Sequence, residues 1–115
     1  MKDRMQLLAL RILKLAEALP HTRSGNTVVN QIGRSGRSVV ANYRALCRAK
    51  PTGDFIHKTS MVEEGAGETS FWLETIIGAK LLKPGLINPL LQEAGELTAM
   101  AVATRKTASP RRTLS

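Results

Sequence analysis

Apolar residues recur through most of this chain at alternating steps of three and four, and that period favours α-helices over strands. Met5, Leu8, Ile12, Leu15 and Leu19 form the first series, which lines one face of a helix at 3.6 residues per turn. Pro20 ends it, so helix one is expected over about residues 3–19. His21 to Asn26 is rich in turn and cap residues and reads as a connector, with Ser24 or Asn26 able to cap the second helix. Helix two is expected over about residues 27–49, with Val28, Ile32, Val39, Tyr43 and Leu46 on its apolar side. Gly33 and Gly36 lie inside it, each costing up to about 1 kcal/mol relative to alanine.

Pro51 closes helix two and Thr52 can cap helix three. Phe55, Thr59, Val62, Ala66, Thr69, Leu73 and Ile76 then give a heptad-like seam, so helix three is expected over about residues 53–82. Lys83-Pro84-Gly85 stops it. Helix four is expected over about residues 86–106, burying Ile87, Leu90, Leu91, Ala94, Leu97, Met100 and Ala101, with Pro89 in its first turn. The segment from Thr107 to Ser115 has no periodicity and is expected to be a disordered basic tail. Valine is sparse, aromatics make up 3%, and no hairpin turn pair occurs, so strands are not expected. The fold class is therefore all-α: an up-down-up-down four-helix bundle over residues 1–106, with the tail at 107–115.

The 115 residues suit one domain with its own core. The single cysteine, Cys47, excludes an internal disulfide and fits a reducing compartment. Arg11, Lys14 and Glu17 interrupt the first apolar stretch, which argues against a signal peptide. No run approaches the roughly 20 apolar residues of a membrane span. A soluble, cytoplasmic protein is the expectation.

Charge is strongly uneven. The chain carries 17 Lys+Arg against 9 Asp+Glu, a net +8, which favours polyanionic partners. Residues 21–50 hold Arg23, Arg34, Arg37, Arg44, Arg48 and Lys50 and no acid, whereas residues 51–84 hold Asp54, Glu63, Glu64, Glu68 and Glu74 against three lysines. At about 100° per residue, Arg34, Arg37, Arg44 and Arg48 fall within an arc of roughly 80°, in a row about 21 Å long, facing away from the apolar side. Like charges along one face oppose one another by a few tenths of a kcal/mol per close pair, so fold stability does not call for the row. Guanidinium groups pair bidentately with phosphate or carboxylate. Two readings compete: a solvated face that happens to use arginine, and a contact surface for nucleic acid or an acidic partner. The absence of acid favours contact, because a solvated face usually mixes signs. The candidate nucleic-acid-binding residues are Arg34, Arg37, Arg44 and Arg48, with Arg23 from the connector.

No converging catalytic set can be drawn. Glu68 and Glu74 lie about 120° apart around their helix and read as surface or interface ion-pair residues. Glu64 and Glu68 share a face, but the chain offers only Asp54-x-x-His57 beside them, and His21 is in a connector, short of a di-metal bundle set. Cys47 has Arg44 and Arg48 nearby but no histidine base on its helix and reads as a small buried residue. Trp72 is expected in the core or at a subunit interface. Ser35 and Ser38 read as small packing residues at a helix crossing, and Asn42 as a residue fixing register or capping a neighbour. No phosphate loop or nucleophile elbow occurs. Neither metal, cofactor nor small-molecule substrate is expected, and the chain reads as non-enzymatic.

The stretch from Gln31 to Arg44, QIGRSGRSVVANYR, resembles the QxxRSxxSvxAN(Y)R signature of bacterial four-helix bundle proteins encoded in intervening sequences of 23S ribosomal RNA genes. Asp54-Phe55-Ile56-His57-Lys58 and Glu68-Thr69-Ser70-Phe71-Trp72-Leu73-Glu74 resemble the same family's third helix. The likeness covers about residues 5–105, by signature in helices two and three and by pattern elsewhere. The chain departs from the pattern at Arg37 and Val40, where small or hydroxyl residues are commoner, and at Gly65 and Gly67, where a helix former is usual. The resemblance implies a ring-like homo-oligomer, a homopentamer. A relative of the family, the accessory variability determinant of diversity-generating retroelements, is a basic pentamer that binds nucleic acid and its reverse transcriptase. The expected function is thus a basic nucleic-acid-binding or scaffold module, accessory to a reverse transcriptase if that likeness extends so far. The alternative is an adaptor that docks an acidic protein without nucleic acid.

Overall fold

The computed structural model describes residues 2–48 and 53–108, and among them every regular element is a helix. They are α1 (Lys2–Ala18), α2 (Arg23–Arg48), α3 (Gly53–Gly78) and α4 (Pro84–Ala108). Each runs antiparallel to the one before it, giving the up-down-up-down order in a body of 52 × 23 × 22 Å. The central pairings are α2 on α3 and α3 on α4; α1 leans on α2 and touches α4 least. The first series is buried throughout, at Met5, Leu8, Ile12, Leu15 and Leu19. It meets Val28, Ile32 and Val39 from α2, Val62, Ala66, Leu73 and Ile76 from α3, and Ile87, Leu90, Ala94, Leu97 and Ala101 from α4. Tyr43, Trp72 and Leu91 pack against this core half-buried. Burying each large aliphatic side chain stabilises the bundle by about 1.5–3 kcal/mol.

Two threonines in the α3 seam are buried without disturbing it. Thr59 donates its hydroxyl to the Phe55 carbonyl (2.8 Å) and Thr69 to the Gly65 carbonyl (2.9 Å), so each is satisfied within its own helix. Ser35 is buried at the same level on α2, which makes it a packing residue. No buried side-chain polar atom among the described residues lacks a partner.

Small residues let α2 approach both neighbours. A Cβ on Gly36 would stand 2.7 Å from Ile12 Cδ1 on α1. One on Gly65 would stand 2.9 Å from Val39 Cγ2 and 3.4 Å from the Ser35 carbonyl oxygen. Gly65 therefore brings α3 against the backbone of α2. Gly67 meets nothing within 4 Å and has no such role.

Helix ends differ from the sequence reading by two residues or more in four places. α2 begins at Arg23, not near residue 27. Thr22 caps it, accepting the Gly25 N–H on its hydroxyl (3.1 Å) and the Asn26 N–H on its carbonyl (2.8 Å), so Ser24 and Asn26 lie inside the helix. α3 stops at Gly78, where Lys80 turns left-handed (φ 57). The Lys80 N–H donates to Ile77 and the Leu81 N–H to Ile76, both at 3.0 Å, a Schellman closure with lysine where glycine is usual. α4 opens with Pro84 in the first helical position, so Pro89 lies beyond the first turn. Thr107 and Ala108, expected in the disordered tail, instead continue α4; the expected roles of Pro51 and Thr52, the buried Cys47 side chain and the tail from Ser109 onward lie outside the described residues.

Candidate nucleic-acid interface

The early start of α2 changes the arginine row. Taking Arg34 as zero, Arg23 falls near 340° at about 100° per residue, inside the arc already occupied by Arg34, Arg37, Arg44 and Arg48. All five are exposed, as are Asn30 and Ala41, which fill the same arc, and Thr27 at its edge. The row is thus a continuous face from Arg23 to Arg48, about 38 Å long at 1.5 Å per residue. The guanidinium of Arg37 folds along the helix, with Nη1 3.6 Å from where a Gly33 Cβ would stand.

None of the five is neutralised by a carboxylate among the described residues. The ion pairs there lie elsewhere. Arg4 on α1 pairs with Glu93 and Glu96 on α4, and Arg105 on α4 pairs with Glu63 on α3 (3.1 Å). Glu64, Glu68 and Glu74 are exposed on α3, together with Phe71. The two helices therefore present opposite signs to solvent.

The remaining candidates resolve individually. Ser35 is held by Thr69 (2.9 Å) and does not reach the arginine face. Ser38 accepts an Asn42 Nδ2–H at 3.2 Å, and its carbonyl accepts another at 2.8 Å. Among the described residues, the hydrogen bonds of Asn42 thus lie within its own helix. Trp72 packs half-buried with the Phe71 ring edge-on, centroids 5.1 Å apart. His21 and His57 are exposed, and no group of three His, Cys, Asp or Glu among the described residues is placed to hold a metal ion. Among the described residues, no helix is long and apolar enough to cross a membrane.

Two features were not anticipated from the sequence. The Arg4 clamp joins residues 89 and 92 apart in the chain. Glu93 first, and then Glu96, hold the Arg4 guanidinium above its ordinary pKa against partial desolvation. The other is a groove of about 480 Å³ between α1 and α2, lined by Met5, Gln6, Ala9, Val40, Tyr43, Arg44 and Arg48. The signal available for it was Tyr43, the one tyrosine, set directly beside Arg44.

The helix order, the antiparallel packing and the α2 signature can now be set beside known proteins. The sequence profile of the 23S rRNA-intervening sequence proteins matches residues 1–103. The chain belongs to that family. The chain is similar to a crystal structure of a protein with unknown function, from the S23 ribosomal protein family of Bacteroides thetaiotaomicron. The two share 28% identity and a TM-score of 0.82, over 91% of this chain and 97% of that one. A search of curated proteins finds no match. The fold expected from the resemblance is the fold observed.

Proposed function

We propose that this family member is a non-enzymatic basic binding module that holds the sugar–phosphate backbone of a nucleic acid along α2. The observation that carries this reading is the row of five exposed arginines on one acid-free helix face. Bundle stability gives no reason for it. Arg23 even places a cation in the first turn, where the helix dipole favours an acid by about 0.3–1 kcal/mol. A polyanion lying along the row would relieve the mutual repulsion and release its condensed counterions. Nothing in the row resembles a recognition helix reading base edges in a duplex groove, so sequence preference is expected to be slight.

The same reading takes the functional unit as a homo-oligomer in the cytoplasm, with a reverse transcriptase as a partner in the manner of the retroelement accessory protein. Leu7, Leu10 and Leu13 support self-association. They are 46%, 50% and 62% exposed and lie opposite the core side of α1 on the helical wheel. A ring of copies would multiply the arginine rows and add avidity.

Changing Arg37, Arg44 and Arg48 together to glutamate is expected to abolish retardation of RNA and DNA while helicity by circular dichroism stays the same. Normal retardation by the triple variant removes the row as the site. The second reading, an adaptor for an acidic protein, rests on the same guanidinium chemistry. A partner whose capture survives nuclease treatment would favour it.

A further inference from the structure

The groove between α1 and α2 shares two residues with the arginine row. Arg44 and Arg48 belong to both, one helical turn apart, so a strand tracked along the row arrives at the groove mouth. The rest of the lining is Met5, Ala9 and Val40, the amide of Gln6 and the ring of Tyr43. Among the described residues, no carboxylate lines it. Its volume of about 480 Å³ falls among small-molecule sites, which run from about 300 to 1,000 Å³.

We propose that this groove receives an unpaired base of a single-stranded nucleic acid, with Arg44 and Arg48 holding the adjoining phosphates. The proposal rests on the nucleic-acid reading of the arginine row and narrows its ligand to single strands. A base has an apolar face and a polar edge, and the groove offers apolar side chains with an aromatic ring beside an amide. Single-strand sites on other scaffolds are built from the same two parts, a cationic track and an aromatic platform. In a duplex the base is stacked and paired within the helix and cannot enter a groove beside a protein helix unless it is extruded. The row alone binds either form; the groove rewards only the form whose bases are free. Tyr43 suits the role because it is half-buried and packs against the core, which fixes its position on the groove wall.

Fluorescence anisotropy with the full chain tests this, using a labelled single-stranded RNA, a DNA of the same sequence, a blunt duplex and an abasic single strand of equal length. Either single strand is expected to bind at least about tenfold more tightly than the duplex and the abasic strand. Tyr43→Leu keeps an apolar side chain on the core side and is expected to erase that preference while leaving duplex binding unchanged. Val40→Phe, which fills the groove from its half-buried rim, is expected to do the same and provides an independent test should Tyr43→Leu fail to fold. Equal affinity for all four probes, or an undiminished single-strand preference in the folded variants, overturns the base site and leaves the arginine row standing. Failure of every probe to bind overturns both.

Discussion

The hydroxyl of Ser35 on α2 meets the hydroxyl of Thr69 on α3 at 2.9 Å, with both side chains buried. Thr69 in turn donates to the Gly65 carbonyl, so a short polar chain lies beside the close approach of Gly65 to α2. This contact requires a residue without a side chain at position 65. Gly65→Ala is therefore expected to destabilise the bundle by about 1–3 kcal/mol, since its Cβ would press on Val39 and the α2 backbone. Gly67→Ala, two residues on and in open space, is expected to stabilise by up to about 1 kcal/mol through helix propensity. Denaturant titration of the two variants measures both. Equal shifts of one sign would mean that α2 and α3 do not approach as described.

Lys80 occupies a left-handed position that favours glycine. Lys80→Gly is expected to raise stability by about 0.5–1 kcal/mol, the steric cost of a Cβ there less the added freedom of the unfolded glycine chain. The thermal midpoint should rise by a few degrees. A fall would show that the lysine side chain contributes more than its backbone conformation costs.

Among the described residues, the Arg4 clamp ties α1 to α4, the least extensive contact in the bundle. Arg4→Met is expected to cost about 1–3 kcal/mol by leaving the Glu93 carboxylate, 16% exposed, without its cation. Hydrogen exchange in α1 should accelerate more than in α3.

Hydrogen bonds from Gln92 and then Arg4 hold the Glu96 carboxyl below its ordinary value of 4.5. The unfolded chain therefore binds this proton at a higher pH than the folded one. The contribution is complete above that ordinary value and fades as pH falls through the lowered one. Glu96→Gln is expected to flatten the acid limb of stability against pH, and coincident acid limbs would remove Glu96 from the clamp.

Each phosphate-contacting arginine should leave its mark on the salt dependence of nucleic-acid binding. Arg44→Ala is expected to reduce the slope of log affinity against log salt by about 0.7 for a single strand. Arg11→Ala, exposed on α1 away from the row, should leave it unchanged. A uniform slope across both variants would mean diffuse charge and not a defined track.

Local pattern carried most of the architecture. The series from Met5 to Leu19 is buried at every position, and Thr59 and Thr69 kept their places in the α3 seam because a hydroxyl can be satisfied by its own helix. Helix ends were less legible. Ser24-Gly25-Asn26 has the composition of a turn, yet Thr22 caps first and its hydroxyl and carbonyl hold the first turn of the helix through them. The C-terminus of α3 is closed by Lys80, a residue that sends no signal for left-handed backbone. The arginines of the row were readable because one helix sets their spacing. The groove and the Arg4 clamp were not, since each depends on how separate helices are laid together.

Gly36 under Ile12 and Gly65 under Val39 leave α2 wedged closely between two partners. A rod gripped so closely on both flanks can neither roll nor slide without collision, so its outward side chains keep a fixed pitch, like teeth cut on a locked rack. Exchanging those teeth alters what the rack engages, while the grip that holds the helix in place stays untouched.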